Sequence, residues 1–464
     1  MSAPRPVVPE RTPRTDDTLP LPPKSASELT DKDWQRVLKE SRWNGNYTTY
    51  IFSKYLGANS VNEIQYDEHQ VSEAYSVVPR YCLEEFIKSS GFTVDKLAWV
   101  MEDSDYSVEW SMIEIELGVK VNRVNNGQYF ISNGTDKYII ESKQGYHENY
   151  FFKIISRVDS KVSGKNLLEN FIKYTKEHNF LHGKKIDPNC NFIKLDKDYT
   201  WKDVVLSEKV KTEIRQNLSN LIDNRGVYRD NGLMVRRGLI FSGPPGNGKT
   251  SLVKVLCSTI DFTVIWVSPK HLENSRKVSG IMELAKDLSP SVIVLEDIDL
   301  YGSSRDINSN PTVLGELMNQ LDGVEGLVDI ITLATTNRED VLEKALLNRP
   351  GRFDKVIRFG LPEPQERLRM LELFASTVAK EDDLTWEELS EKPTQGMSGA
   401  QIREVISQGV IQAVDDKSIV DGKIVLKKKH IKAAMKEIKG KEFSPIGIQP
   451  TSSNTNFPDL NDRW

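Results

Sequence analysis

Gly238-Leu239-Ile240-Phe241-Ser242-Gly243-Pro244-Pro245-Gly246-Asn247-Gly248-Lys249-Thr250-Ser251 is the stretch that decides the fold. A short apolar run reads as a buried strand. It enters G-x-x-x-x-G-K-[ST], and Leu252, Val255 and Leu256 follow at helical spacing. Glycines let the backbone wrap so that successive N–H groups face phosphate oxygens, and the helix N-terminus adds partial positive charge. On this reading Gly243, Pro244, Pro245, Gly246, Asn247, Gly248, Lys249, Thr250 and Ser251 contact a nucleotide. Lys249 would hold the β- and γ-phosphates of ATP, and the Thr250 hydroxyl would ligate Mg²⁺.

Working outward, apolar strand-like runs recur at 262–267, 291–295, 329–334 and 355–359, with helical segments between most of them. Such alternation predicts an α/β fold, a P-loop NTPase parallel sheet covered on both faces. The run at 291–295 ends in Glu296-Asp297-Ile298-Asp299. Phosphoryl transfer needs one carboxylate near Mg²⁺ and another to orient or deprotonate the attacking water. Glu296 is assigned to the metal and Asp297 to the water. An Asp is one methylene shorter than a Glu, so the water must sit closer or turnover is slow.

The ATPase core is placed at 200–362. Helical patterns at 364–376, 385–389, 398–414 and 429–438 then predict a helical lid over 363–440, and a Pro-, Ser- and Asn-rich flexible tail covers 441–464. Upstream, residues 1–28 have little to bury and read as a disordered arm. Residues 29–199 read as an α+β N-terminal domain that holds a substrate or partner. Helical stretches are expected at 82–89 and 94–101. Strands are expected at 112–121, 128–132, 138–142 and 150–155, with Asn-Gly turns separating the first three, and a helix at 164–177. The aromatics Tyr129, Phe130, Tyr138, Tyr150, Phe151 and Phe152 lie within the strand runs and read as core.

The net charge of −5 offers no general attraction to polyanions, which disfavours nucleic acid as a partner. No run of about 18 apolar residues is present, so no membrane insertion is expected. Three cysteines, Cys82, Cys190 and Cys257, fit reduced thiols, and the Arg- and Pro-rich start lacks an apolar signal core, so the expected location is cytoplasmic. His178 and His182 stand four apart with Cys190 beyond. No acid lies between them and Gly183 ends the helix, so no metal is assigned there. Lys427-Lys428-Lys429-His430 reads as a solvated face at a helix start.

From about residue 200 to 438 the sequence resembles the AAA clade of AAA+ ATPases. Arg237-Gly238 resembles the clade's lead-in to the phosphate strand, and Thr335-Thr336-Asn337 ends a strand where the family keeps a polar sensor. Asn348-Arg349-Pro350-Gly351-Arg352-Phe353-Asp354 resembles the family's R-P-G-R-[FL]-D segment. Gly396-Met397-Ser398-Gly399-Ala400 resembles its G-x-S-G-A step. The resemblance implies that Asn337 helps place the attacking water. It implies that Arg349 and Arg352 serve the γ-phosphate held by a neighbouring subunit, and that Gly399 and Ala400 open a lid helix over the nucleotide base. Arginines acting in trans imply a ring homo-oligomer, a hexamer or heptamer.

The Glu-Asp order reverses the family's usual Asp-Glu. With the single ATPase module and the upstream strand–helix unit, it is similar to the branch of the mitochondrial inner-membrane translocase of the folded Rieske protein, whose transmembrane helix has no match here. Many unfoldases of the clade carry an aromatic–hydrophobic–Gly loop after the second strand. The segment at 269–279 has no Phe, Tyr or Trp. The implied function is a Mg-ATP-dependent remodeller or translocase of an unidentified protein substrate. An ATP-gated assembly module with slow turnover, and a nucleic-acid loader or helicase-like ATPase, are the alternatives.

Overall fold

Side chains that alternate between two faces build the first sheet. The computed structural model describes residues 47–58, 61–101, 105–145, 149–232, 235–272, 275–302, 315–317, 320, 329–338 and 353–440. These fall into two compact units. One comprises the described residues up to Thr200 with Thr212–Ser242 and Thr250–Ile357; the other comprises Trp201–Lys211, Gly243–Lys249 and those from Arg358 onward.

In the first unit, a seven-stranded antiparallel sheet contains β1 (Ile64–Ser72), β2 (Thr93–Val100), β3 (Asp105–Tyr106), β4 (Glu109–Glu116), β5 (Val119–Ser132), β6 (Lys137–Gln144) and β7 (Asn149–Arg157). The strand order is β1-β7-β6-β5-β2-β3, with β4 on the first half of β5. Phe130, Ile139 and Ile155 point to one face and pack with Ile51, Phe52 and Tyr55 of α1 (Tyr47–Leu56). Tyr129, Ile131, Tyr138, Ile140 and Ile154 point to the other, against α2 (Val77–Ser89) and α3 (Gly164–Glu177). Alternation with both faces covered is the period-two signature of a sheet between helices. Five of the six aromatics read as core are buried, and Phe151 is half-buried.

Three local expectations are corrected. Residues 94–100 lie in strand β2 rather than in a helix. Their apolar spacing suits either, but β5 supplies a pairing register from Thr93↔Ser132 to Ala98↔Gln128. Beyond it, the Gln128 side chain both accepts from Val100 N–H and donates to Val100 C=O at 3.0 Å. Asn126-Gly127 does not turn. β5 runs straight through because β4 pairs it up to Asn126 and β6 takes over from Gly127. The turn between β4 and β5 falls instead at Leu117-Gly118, inside the run 112–121 expected as one strand, while the expected turn at Asn133-Gly134 is present, Asn133 Oδ1 accepting from the N–H groups of Thr135 and Asp136.

The same unit holds a six-stranded sheet of β8 (Lys185–Ile186), β9 (Arg236–Ser242), β10 (Thr263–Val267), β11 (Ser291–Leu295), β12 (Ile330–Thr336) and β13 (Lys355–Arg358), ordered β13-β9-β12-β11-β10-β8. β9, β12, β11, β10 and β8 run parallel. α4 (Lys249–Thr259) and α5 (Ser275–Asp287) follow β9 and β10 in the chain. β8, only two residues long, was not foreseen. Helix α2 joins the two sheets: Val78 and Cys82 are buried with Ile240, Ile265 and Val267, while Leu83, Phe86 and Ile87 belong to the antiparallel sheet's core.

In the second unit, α6 (Pro364–Phe374), α7 (Trp386–Ser390), α8 (Gly399–Asp415) and α9 (Lys428–Gly440) enclose Leu371, Ile402, Val405, Leu426 and Ile431. A small sheet, not expected from sequence, adds β14 (Ala379–Lys380), β15 (Ile419–Val420) and β16 (Lys423–Leu426). The Lys427–His430 run is more than a solvated face. Lys427 pairs with Glu381, Lys428 with Glu388 and Lys429 with Asp416. His430 is buried; its Nδ1 accepts from Lys427 N–H and its Nε2 faces Asp416 Oδ2 at 3.1 Å.

No described helix is long and apolar enough to cross a membrane. His178 stacks on Tyr174, with ring centroids 3.9 Å apart. All three thiols are buried and unbridged. Burial pushes the Cys82 and Cys257 thiols up to about 12 and raises Cys190 as well. At pH 8 they are therefore protonated, and the thiolate is the reactive form. Native protein is expected to leave Ellman's reagent unreacted at pH 8, with all three thiols titrating once urea unfolds the chain.

Candidate nucleotide site

The phosphate loop belongs to the second unit. Gly243, Gly246 and Gly248 have φ of +147°, +79° and +90°. At two of them a side chain would also collide: a Cβ on Gly243 would lie 2.1 Å from Phe359 O, and one on Gly246 would lie 2.6 Å from Ala400 Cβ. Only glycine meets both demands. Lys249 opens α4 with its side chain buried, and its Nζ donates to Gly243 O at 2.7 Å and Pro244 O at 2.9 Å. Pro244, Pro245 and Thr250 are exposed, and Ser251 is half-buried in the first turn of α4.

The N-terminus of α8 grips this loop. Ala400 N–H donates to Gly246 O at 2.9 Å, and Gly399 N–H donates to Asn247 Oδ1 at 3.3 Å. Ser398 caps the helix: its Oγ accepts from Gln401 N–H, and Gln401 Oε1 accepts from Ser398 N–H. The first three amides of α8 are thus engaged. The N–H groups of Gly399 and Ala400, two residues assigned to the nucleotide from sequence, are held by the loop.

The acidic cluster belongs to the first unit. β9, β12 and β11 lie side by side and parallel, with Thr336 beside Ser242 and Leu295 beside Ala334, so their carboxyl ends share one edge. That edge is where open parallel sheets carry ligand groups. Glu296, half-buried, closes β11 with its N–H on Val267 O. Asp297 sits at φ +47°, a left-handed conformation that Asp tolerates better than most residues. Its N–H donates to Thr335 Oγ1 at 3.0 Å, and its Oδ1 accepts from Asn337 Nδ2 at 3.2 Å. Asp299 Oδ1 accepts from Thr336 Oγ1 at 2.7 Å and from Asn337 N–H at 3.2 Å. Asn337 and Asp297, chosen separately from sequence, are in contact. Thr335, Thr336 and Asp299 were not assigned roles. The signal was available: two threonines in a row at the end of a fully buried strand need acceptors or donors nearby.

Asp354 ties the end of the arginine segment to the sheet. Its N–H donates to Gly238 O and its Oδ2 accepts from Gly238 N–H, each at 2.8 Å, while Arg237 donates to Asn217 Oδ1. The motif residues Arg237-Gly238 and Phe353-Asp354, 116 positions apart, thereby interlock. Arg349 and Arg352 lie outside the described residues. After β10, Ser268 N–H donates to His271 Nδ1, and burial lowers the His271 pKa despite nearby Asp187.

Comparison with known proteins fits this geometry. Residues 239–361 match the family model for the ATPase family associated with various cellular activities (AAA), and the chain carries an AAA ATPase domain. It is similar to the proteasome-activating nucleotidase of Methanopyrus kandleri, 32% identical over 228 residues, 46% of this chain and 52% of that protein. It is similar to 26S proteasome regulatory subunit 8 of Dictyostelium discoideum, 33% identical over 251 residues, 51% of this chain and 62% of that protein. A third relative is the ATP-dependent zinc metalloprotease FtsH of Mycoplasmopsis synoviae, 29% identical over 245 residues, 50% of this chain and 36% of that protein. The chain thus spans only 52% and 62% of the length of the first two of these relatives.

Gly243→Ala is expected to keep the native circular dichroism spectrum but weaken binding of a fluorescent ATP analogue by at least about tenfold, because Phe359 O occupies the volume of the new Cβ.

Proposed function

We propose that this protein is a Mg-ATP-dependent ATPase that assembles into a ring and remodels or moves protein clients. The observation that carries the reading is the phosphate loop itself. Its glycines hold left-handed conformations that other residues adopt only with strain, and its lysine is buried at the loop, donating to the carbonyls of Gly243 and Pro244. That cradle suits a polyphosphate, since an ammonium already held on two carbonyls can exchange them for phosphate oxygens.

In this reading Lys249 neutralises the β- and γ-phosphates, and Thr250 and Glu296 hold Mg²⁺. Bound Mg²⁺ supplies positive charge that offsets the charge on the transferred phosphoryl group. Asp297 orients the attacking water, and the Asn337 amide fixes the carboxylate that does so. Arg349 and Arg352 serve the nucleotide of a neighbouring subunit, where a planar, permanently charged group matches the charge developing on the phosphate. The antiparallel sheet would hold the client. The polar segment at 269–279 favours movement of a folded client over threading of an extended one, and the Glu296-Asp297 order favours the branch of the Rieske-protein translocase.

The test is ATPase rate per subunit against protein concentration, with and without Arg352→Ala mixed into wild type. A rate that rises with concentration and falls on doping is expected; a flat rate indifferent to doping removes the ring and the trans arginines. Asn337→Ala should lower kcat by about a hundredfold while ATP affinity, read by equilibrium titration, stays near wild type.

A further inference from the structure

Strand β4 lies at an edge: among the described residues it pairs only with β5. Sequences usually blunt such an edge with lysine, proline or a bulge, because its free N–H and C=O groups invite another strand. Glu109-Trp110-Ser111-Met112-Ile113-Glu114-Ile115-Glu116 contains neither lysine nor proline. Its two register shifts fall at the ends, between Glu109 and Trp110 and between Glu114 and Glu116, so Trp110 to Glu114 keep a regular register. The two faces differ as period two requires. Ile113 is buried, whereas Trp110 and Met112 on the opposite face are 48% and 61% exposed. Tyr106, Leu117 and Val119, close by in the chain, are exposed as well, and large apolar side chains grouped at a surface mark an interaction site. Residues 105–119 also hold four carboxylates, Asp105, Glu109, Glu114 and Glu116, and no lysine or arginine. Lys120 stands opposite Glu114 on β5, yet among the described residues Glu109, Glu114 and Glu116 form no ion pair.

Those charges select the occupant. A second copy would offer either this acidic edge or β1 at the far end of the strand order, where residues 63–73 carry Glu63, Asp67, Glu68 and Glu73 and no lysine or arginine. Both pairings set like charges side by side, which is unfavourable across strands. The chain's own basic start places Pro4, Pro6, Pro9 and Pro13 among Arg5, Arg11 and Arg14, and each proline lacks the N–H that a ladder needs. We propose that the outer edge of β4 takes up an extended segment of a client protein as an added strand, in which lysine or arginine alternates with apolar residues. The proposal rests on the reading of the antiparallel sheet as the part that holds the client. The long cationic side chains lie across Trp110 and Met112, their stems on apolar surface, their heads over the indole or at Glu114. The apolar residues fall on the other face, beside Ile113 and Ile115. Main-chain hydrogen bonds supply affinity and the alternation supplies selectivity.

The test uses the full-length chain without added nucleotide and reads fluorescence anisotropy of short labelled peptides. The probes are a peptide of alternating lysine and valine, its glutamate–valine counterpart, and the lysine–valine peptide with alternate backbone amides N-methylated. The first is expected to bind, and the other two at least about tenfold more weakly. Trp110→Thr combined with Met112→Thr keeps β propensity at two exposed positions and should raise the Kd of the lysine–valine peptide about tenfold. Glu114→Gln keeps an acceptor for Gly118 N–H and removes only the charge. It should raise that Kd about threefold at low salt, with the difference lost at high salt, and it serves if the double variant fails to fold. Equal binding of the lysine–valine and glutamate–valine peptides, full binding of the N-methylated peptide, or wild-type affinity in both variants would overturn the proposal. Sedimentation that shows the double variant in smaller assemblies, with peptide affinity unchanged, would make the edge a contact between copies instead. Much tighter peptide binding after Arg5→Ser, Arg11→Ser and Arg14→Ser together would make the chain's own start the occupant. An ATPase rate flat against protein concentration, beside intact peptide binding, would remove the ring and leave the docking edge. A concentration-dependent rate in a protein that binds none of the peptides would remove only this inference.

Discussion

A parallel sheet buried on both faces can keep polar side chains only where its strands end. In this chain the middles of β9, β12 and β11 are mostly apolar, and polar residues gather toward their ends, with Ser242, Thr335, Thr336 and Glu296 on the carboxyl side. Everything chemical in the first unit follows from that exclusion. Thr335, Thr336 and Asn337 emerge from one strand beside the acids that emerge from the next, and each of the three finds a partner among Asp297 and Asp299. The left-handed turn at Asp297 is held by the Thr335 hydroxyl, so a residue in an uncommon backbone conformation is fixed by a neighbour that is itself fully buried. Removing one polar residue here would leave another without its bond, because the set is mutually satisfied.

The second unit uses a different device. Ordinarily the exposed amides of a helix start are available to an anion. Here the first turn of α8 spends them on the phosphate loop and on its own cap. The glycines of the loop serve this contact as much as they serve any ligand, since Gly246 leaves room for Ala400 and Gly243 leaves room for Phe359. The strained backbone and the lid contact are therefore one feature seen from two sides.

The ATPase portion was legible because its signals are local. Each buried strand is a short run of apolar residues, and the phosphate motif is contiguous. The lid helix begins at Gly399 after a Ser398 cap that reads directly from Ser-x-x-Gln. What sequence could not show was pairing at a distance. Residues 94–101 have spacing fit for a helix, and 94–100 became a strand because β5 was there to pair with them. Asn126-Gly127 has the composition of a turn but is held straight by two partners that take turns along β5. The link from Gly238 to Asp354, and the contact of Asn337 with Asp297, depend on strand order, which no window of sequence contains. The Lys427–His430 run was read from composition alone, and composition cannot say that Asp416 lies within reach of two of its members.

Helix α2 gives one side to each of two hydrophobic cores. Shuffling of domains during evolution works when a module can be lifted away and leave its neighbour with a wettable surface. This one cannot be lifted so simply: a chain begun downstream of α2 would present Ile240, Ile265 and Val267 without Val78 and Cys82 against them. A substitution on the side of α2 that faces the antiparallel sheet therefore has to remain compatible with the packing that its other side makes on the parallel sheet.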